Sequence, residues 1–285
     1  MSTNAPYPVF KNPVDYLIQG CERPWEVAVD PFEVAPRTWF VGNAWVGAYL
    51  LETSEGLILI DSTMQPQVYL VFENIRKLGL DPKDIKLLLL THMHYDHVGG
   101  ARSIAEASGA KIMLSKQDHE FMLAHPEQIF DEGYPFGSFE VSDFYQDDKP
   151  ITLGDRTIHT ILTPGHTPGT TSFFFDVVTK DGQTKHCGLH GGVGLNTLGD
   201  DFLTEHGFST ATRSDYLASM RKLHNFQIDI TLGSHPAQVD MLSKVARIGP
   251  DCNPFDDPSV WQGLIEQRIG QIETLIAESK LEPAC

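Results

Sequence analysis

The sequence predicts an α/β (α+β) fold, a four-layer αββα sandwich, and three observations carry that expectation. From residue 38 onward, short apolar runs bounded by turn residues alternate with segments of helical spacing. The runs fall into two groups, before and after a stretch at 125–149 that is rich in Pro, Gly and aromatics. Helical segments flank both groups, which is how two sheets packed face to face cover their outer faces. No repeat, low-complexity run or long polar linker divides the chain. A single domain is therefore expected over 38–285, with an extended arm at 1–37 lying on it.

Taken in order, the arm is rich in Pro and aromatics and lacks periodicity. Strands are expected at 38–41 and 45–52, around the turn Gly42-Asn43-Ala44, and at 56–61, which ends in an acid. Val68, Val71, Phe72, Ile75 and Leu78 have helical spacing. Asp81-Pro82 opens a short turn before the apolar run 85–90, read as a buried strand. Helices at 101–107 and 116–123 bracket a short strand at 111–114. The loop 125–149 carries Phe130, Tyr134, Phe136, Phe139 and Phe144, and either covers a pocket or packs these rings onto the body. Further strands are expected at 151–153, 157–162, 171–176, 185–189 and 228–232, with helices at 214–223 and 238–245. The final helix, 258–278, starts at the N-cap Asp257 with Pro258 in the first position. Its stripe runs from Trp261 through Ile265 and Ile272 to Ile276.

Composition narrows the function. The 285 residues carry 38 acids against 21 bases, a net charge of −17. Nucleic acid and anionic membranes reward basic patches, so neither is an expected partner. A small-molecule substrate suits this surface better. The first residues contain no basic segment followed by an apolar one, and a cytoplasmic location is expected. Cys21, Cys187, Cys252 and Cys285 show no paired spacing, so reduced thiols are expected.

The chemistry concentrates in Thr91-His92-Met93-His94-Tyr95-Asp96-His97-Val98-Gly99-Gly100, which follows the apolar run 85–90. In an extended segment, side chains two apart point the same way, so His92 and His94 can close on one ion. Asp96 and His97 come after the chain begins to turn and can face a second ion. Imidazole and carboxylate are ligands that zinc and its neighbours prefer. One loop cannot complete two coordination spheres, so other loops must supply histidines. Thr163-Pro164-Gly165-His166-Thr167-Pro168-Gly169 fixes one imidazole in a loop stiffened by two prolines. His235 lies just past a strand end, a common place for active-site residues.

His-x-His-x-Asp-His, then Pro-Gly-His-Thr-Pro-Gly, then a late His-Pro resembles the metallo-β-lactamase superfamily over roughly residues 38 to 250. Within it, the chain is similar to the lactamase subclass whose second zinc is held by Asp, His and His. The resemblance implies a first site of His92, His94 and His166 and a second of Asp96, His97 and His235. It also implies two zinc ions (Zn2+) per chain, although six N/O ligands suit iron or manganese as well. Asp61 resembles the family's buried acid that orients the metal loop. One departure is His190, which stands where related hydrolases carry a metal-bridging or substrate-side acid, followed here by Gly191, Gly192 and Val193. His190 is open to a pocket or a supporting role. Tyr95, inside the metal loop, is open to donating to an oxyanion or to packing.

The expected function is a dinuclear metal-dependent hydrolase. Activated water, oriented by the catalytic Asp96, attacks the carbonyl of a small-molecule amide, β-lactam, lactone or ester. No Gly-x-Ser-x-Gly nucleophile motif is present. A phosphodiester or thioester hydrolase of the same fold is an alternative, as is a non-catalytic metal-binding sensor.

Overall fold

Strands of the first half send alternate side chains into two different cores. Tyr49, Leu51, Ile58 and Ile60 enter one apolar cluster, while Leu50, Leu57 and Leu59 enter another. With both faces of the pleat buried, the sequence shows unbroken apolar runs. The structure, a computed structural model, describes residues 12–250 and 252–281.

The first sheet contains β1 (Phe32–Ala35), β2 (Thr38–Phe40), β3 (Tyr49–Thr53), β4 (Gly56–Ile60), β5 (Ile85–Leu89), β6 (Lys111–Leu114) and β7 (Asp143–Phe144), in that spatial order. Pairing is antiparallel from β1 to β4 and parallel from β4 to β7. The second sheet runs β12-β11-β10-β9-β8. Its strands are β8 (Ile151–Leu153), β9 (Arg156–Leu162), β10 (Thr171–Val178), β11 (Thr184–His190) and β12 (Ile230–Gly233). Only the β11–β12 pair is parallel there.

Helices close the outer faces. Those before the second sheet are α1 (Pro13–Glu22), α2 (Val68–Lys77), the single turn α3 (Tyr95–Val98), α4 (Ala101–Ser108) and α5 (Lys116–Ala124). Between β11 and β12 come α6 (Asp200–His206) and α7 (Ala211–His224), and after β12 come α8 (Met241–Lys244) and α9 (Pro258–Glu278). Val68, Val71 and Ile75 of α2 and Ile104 of α4 join the Leu50–Leu59 cluster. On the other side, Phe174 of β10 turns its ring to Trp261 of α9, centroids 5.8 Å apart. Phe173 and Phe175, one step either way, are buried with Tyr49 and Ile60 between the sheets. The result is the mixed α/β sandwich that the alternation predicts.

Four features differ from expectation. Residues 13–22 form a helix, not part of an extended arm; Asn12 caps it by accepting from Asp15 N, and Pro13 occupies its first turn. The first sheet begins inside the expected arm, at β1. Residues 1–11 lie outside the described part. The segment 200–206, within a glycine-rich stretch, is helical. The helix expected at 238–245 is a 3-10 turn (Pro236–Val239) followed by the short α8.

Both readings of the 125–149 loop hold at once. Phe136 and Phe139 pack against the body, while Phe130 and Glu132 line a cavity. Among the described residues, no helix is long and apolar enough to cross a membrane.

Candidate metal centre

The histidine-rich segment leaves the end of β5 and is locked by the acid at the end of the neighbouring strand. Asp61 directly follows β4 with a left-handed backbone, φ 60°. That conformation costs of order 1 kcal/mol in a non-glycine residue and persists only where its surroundings impose it. Here Asp61 N donates to Leu89 O (2.9 Å), and the next residue's N donates to His97 O (2.9 Å). The carboxylate then accepts three bonds: Thr91 N to Oδ1 (2.8 Å), Thr91 Oγ1 to Oδ2 (2.9 Å) and His97 Nδ1 to Oδ2 (2.7 Å). Asp61 thus holds both ends of the segment. Gly100 is needed because a Cβ there would meet Ser62 O at 2.5 Å.

Four of the five histidines, His97 and the three that follow, are oriented through Nδ1. Thr91 spends its hydroxyl hydrogen on Asp61, so it accepts from His92 Nδ1 (3.0 Å). His166 Nδ1 donates to Gly194 O (2.9 Å), and His235 Nδ1 donates to Trp45 O (2.8 Å). These bonds orient the rings and turn Nε2 toward the centre on His92, His97, His166 and His235, with its lone pair free wherever the ring is neutral. The rings converge. His92, His94 and His166 form a triangle with centroid separations of 4.7, 4.7 and 4.8 Å. The His97 and His235 rings lie 5.2 Å apart, and Asp96 Oδ2 is 3.4 Å from His97 Nε2 and 3.5 Å from His235 Nε2.

This donor set fits a divalent metal. The ligand atoms of His92, His94 and His166 lie within 4.8 Å of one another, as do those of His92, Asp96 and His97. Two atoms sharing a zinc at about 2.0–2.1 Å stand roughly 3.3 Å apart, close to the Asp96 separations. His97 Nε2 is buried without a hydrogen-bond partner, which a native fold rarely tolerates.

Electrostatics agree with this arrangement. Burial, then mutual repulsion, holds His92 and His94 well below the usual imidazole range. Burial pushes His166 down to about 4 and lowers His235. Neutral imidazoles are the ligating form. Burial opposes charge on His97 too, but Asp96 and Asp61 outweigh it and raise the ring to about 10. The two carboxylates therefore call for positive charge between them.

Asp118, on α5, is a contributor the sequence reading missed. It is fully buried and accepts from Met93 N (2.9 Å), Thr167 Oγ1 (2.8 Å) and Gly169 N (2.6 Å). One carboxylate thereby ties the His92/His94 segment to the His166 loop. Burial raises it to about 6 against the pull of those donors. The available signal was Ser115, whose hydroxyl accepts from Asp118 N in an N-cap three residues earlier.

Two residues whose roles the sequence left open lie away from the cavity. His190 does not line the cavity over the centre. Its Nδ1 accepts from Gly192 N (3.1 Å), and the loop it steadies presents Gly194 O to His166. Glycine follows because a Cβ at Gly192 would stand 2.4 Å from His166 Cδ2. Tyr95 does not reach the cavity either. The helical turn directs it away from its neighbours, into a buried cluster where its hydroxyl donates to Pro135 O (3.0 Å).

The cavity over the centre has a volume of about 660 Å³. His92, His94, Asp96, His166 and His235 form part of its lining, and Val14 and Leu17 of α1 supply an apolar wall. His206 also lines it, stacked on Phe202 with ring centroids 4.3 Å apart.

A sandwich whose clustered histidines and acids gather where strand-end loops of both sheets meet defines a class of metal-binding domain. Residues 46–178 match the metallo-beta-lactamase superfamily, and the chain carries a domain of that superfamily. Among solved structures, BJP-1, a subclass B3 metallo-beta-lactamase of Bradyrhizobium japonicum, is similar at 28% identity with a TM-score of 0.81, covering 90% of this chain and 97% of that one. FEZ-1 from Legionella gormanii is similar at 28% identity and a TM-score of 0.80, covering 90% and 98%. Among curated relatives, the N-acyl homoserine lactonase AttM of Agrobacterium fabrum is 32% identical over 108 residues, 35% of this chain. The N-acyl homoserine lactonase of Bacillus thuringiensis is 24% identical over 157 residues, 47% of this chain. The chain spans 40% and 59% of the length of these two relatives.

Proposed function

We propose that the chain is a dinuclear metal-dependent hydrolase of a small-molecule carbonyl: an amide, β-lactam, lactone or ester. The observation that carries this reading is the convergence of six side chains from three segments, four of whose imidazoles are tied through Nδ1 with Nε2 free. His92, His94 and His166 would hold one zinc, and Asp96, His97 and His235 the other. Bound divalent cations supply Lewis acidity toward a carbonyl and an acidified water at neutral pH. Asp96 Oδ2 faces His97 and His235, which leaves Oδ1 to accept a hydrogen bond from the attacking water. Trp45 and Phe130 line the approach and exclude bulk water from the polar floor. The lactonase and lactamase names among the relatives support carbonyl hydrolysis rather than phosphodiester hydrolysis.

The test is turnover of a lactone, a β-lactam and an aryl ester by the zinc-loaded protein. Asp96→Asn and His166→Ala are each expected to lower kcat/KM at least about 100-fold. Wild-type rates in either variant would reject the assignment.

A further inference from the structure

The cavity lining carries information about what can enter it. Its walls are mainly apolar, with Leu17, Trp45, Phe130 and Phe202 prominent. Among the described residues that line it there is no lysine or arginine. Asn196 and Gln238 are its uncharged amides, and Glu132 and Glu205 are acids outside the metal centre. Both of these carboxylates belong to exposed residues.

The segments that carry the two acids meet through a pair of rings. Phe130, in the 125–149 loop, meets Phe202, on α6, edge to face with ring centroids 6.1 Å apart. Glu132 follows two residues after the first ring and Glu205 three residues after the second. Phe130 and Glu132 both adopt left-handed backbone, φ 60° and 50°. Such strain in non-glycine residues collects where a surface is shaped for use. The cationic charge expected at the floor serves the reacting carbonyl, so the rim governs the rest of the substrate. Among the described lining residues a carboxylate there would find no lysine or arginine and would face two negative groups.

We infer that this cavity takes a substrate whose distal part is apolar and either uncharged or cationic, and that Glu132 and Glu205 set the preference. The inference rests on the hydrolase reading for its chemistry, but the preference itself concerns binding. It separates candidate substrates by the charge they carry away from the scissile bond, which neither the metal ligands nor the fold can do.

The experiment compares three matched lactones: N-hexanoyl homoserine lactone, its anionic analogue N-adipoyl homoserine lactone, and its cationic analogue N-(6-aminohexanoyl) homoserine lactone. A like-charge pair within a screening length of ~10 Å costs roughly twofold in a water-like dielectric, so two rim carboxylates correspond to about fivefold between neutral and anionic forms at low salt. In the zinc-loaded protein, kcat/KM is expected to fall from cationic or neutral to anionic by about that factor. The ratio should shrink toward one at about 1 M salt, where the screening length is ~3 Å. The double variant Glu132→Gln/Glu205→Gln should remove the preference, and Glu132→Lys/Glu205→Lys should reverse it.

Binding gives a second readout without turnover. Tryptophan fluorescence of chelator-treated protein, with Trp45→Phe as control, should rank the three ligands in the same order. If none is hydrolysed but binding keeps this order, the hydrolase reading fails and the pocket inference stands. Equal or absent binding of all three, or a preference unchanged in the glutamine variant, overturns the inference.

Discussion

At the scale of single residues, four of the five imidazoles of the centre, those of His92, His97, His166 and His235, are aimed by the atom on their far side. The partners of Nδ1 are Asp61, the Thr91 hydroxyl and two backbone carbonyls. Such partners raise ligand basicity and fix ring orientation, and their loss commonly weakens metal binding 10- to 100-fold. Asp118 works one step further out, holding the backbone between His92 and His94 to the loop of His166. Truncation to Asp118→Ala orphans three buried donors, so a loss of about 2–3 kcal/mol in stability is expected by urea unfolding. Zinc affinity should fall at least about tenfold in the same variant, while Asp118→Asn, which keeps one acceptor, should fall between. Unchanged affinity in Asp118→Ala would remove this carboxylate from the account.

At the scale of elements, the loop after β11 and helix α6 shape the cavity. The loop is pinned by Tyr216 OH to Val193 O (2.9 Å) and by Thr197 Oγ1 to His166 O (2.8 Å). Helix α6 is anchored by its first residue. Asp200 accepts from Lys280 N (2.8 Å), Ser279 Oγ (2.7 Å) and Arg213 Nη2 (2.7 Å), which join it to α7 and to the end of α9. These donors, led by Lys280 N, lower Asp200 from its ordinary 3.8 to about 2. A depressed acid contributes stability above its unfolded pKa and loses it as pH falls through the folded value. Hydrogen exchange over 200–208 is therefore expected to stay slow above pH about 4 and to quicken, relative to neighbouring helices, as pH falls toward about 2. The Asp200→Asn variant should show the quicker exchange at neutral pH and a raised KM with kcat little changed. Identical exchange in variant and wild type would mean that α6 is held by its apolar face alone.

At the scale of the whole molecule, the centre sits where loops from both sheets meet. Thr171 N, at the start of β10, donates to Thr91 O (2.9 Å), and Gly47 N donates to Ser234 O (2.8 Å). A bound metal would cross-link the same two halves and relieve the buried, mutually repelling imidazoles. Anything that binds the folded state alone stabilises it, by about 4 kcal/mol at a thousandfold excess over Kd. For a chain of this size that corresponds to a rise in Tm on the order of 10 °C. Calorimetry before and after chelation should show a shift of this size that zinc restores. A Tm indifferent to chelator and zinc would contradict the role given to the centre.

The sequence by itself determined the ligand-dense segment and the two lone histidines, because their signals are local. Spacing of two sets His92 beside His94, a Pro/Gly turn marks His166, and a strand end marks His235. It also determined the layered fold, since strands buried on both faces must be apolar throughout. Only the tertiary structure decided what supports and surrounds these groups. Trp45 O and Gly194 O orient two ligands, and a backbone carbonyl is the same in every residue, so no residue type announces it. Helix α1 carries the start signal Asn12-Pro13, but its value as a cavity wall depends on Trp45, which stacks on Tyr16 at 5.6 Å from a distant part of the chain. Likewise, the meeting of Phe130 with Phe202, which places two acids over one cavity, depends on how a loop and a short helix close in space.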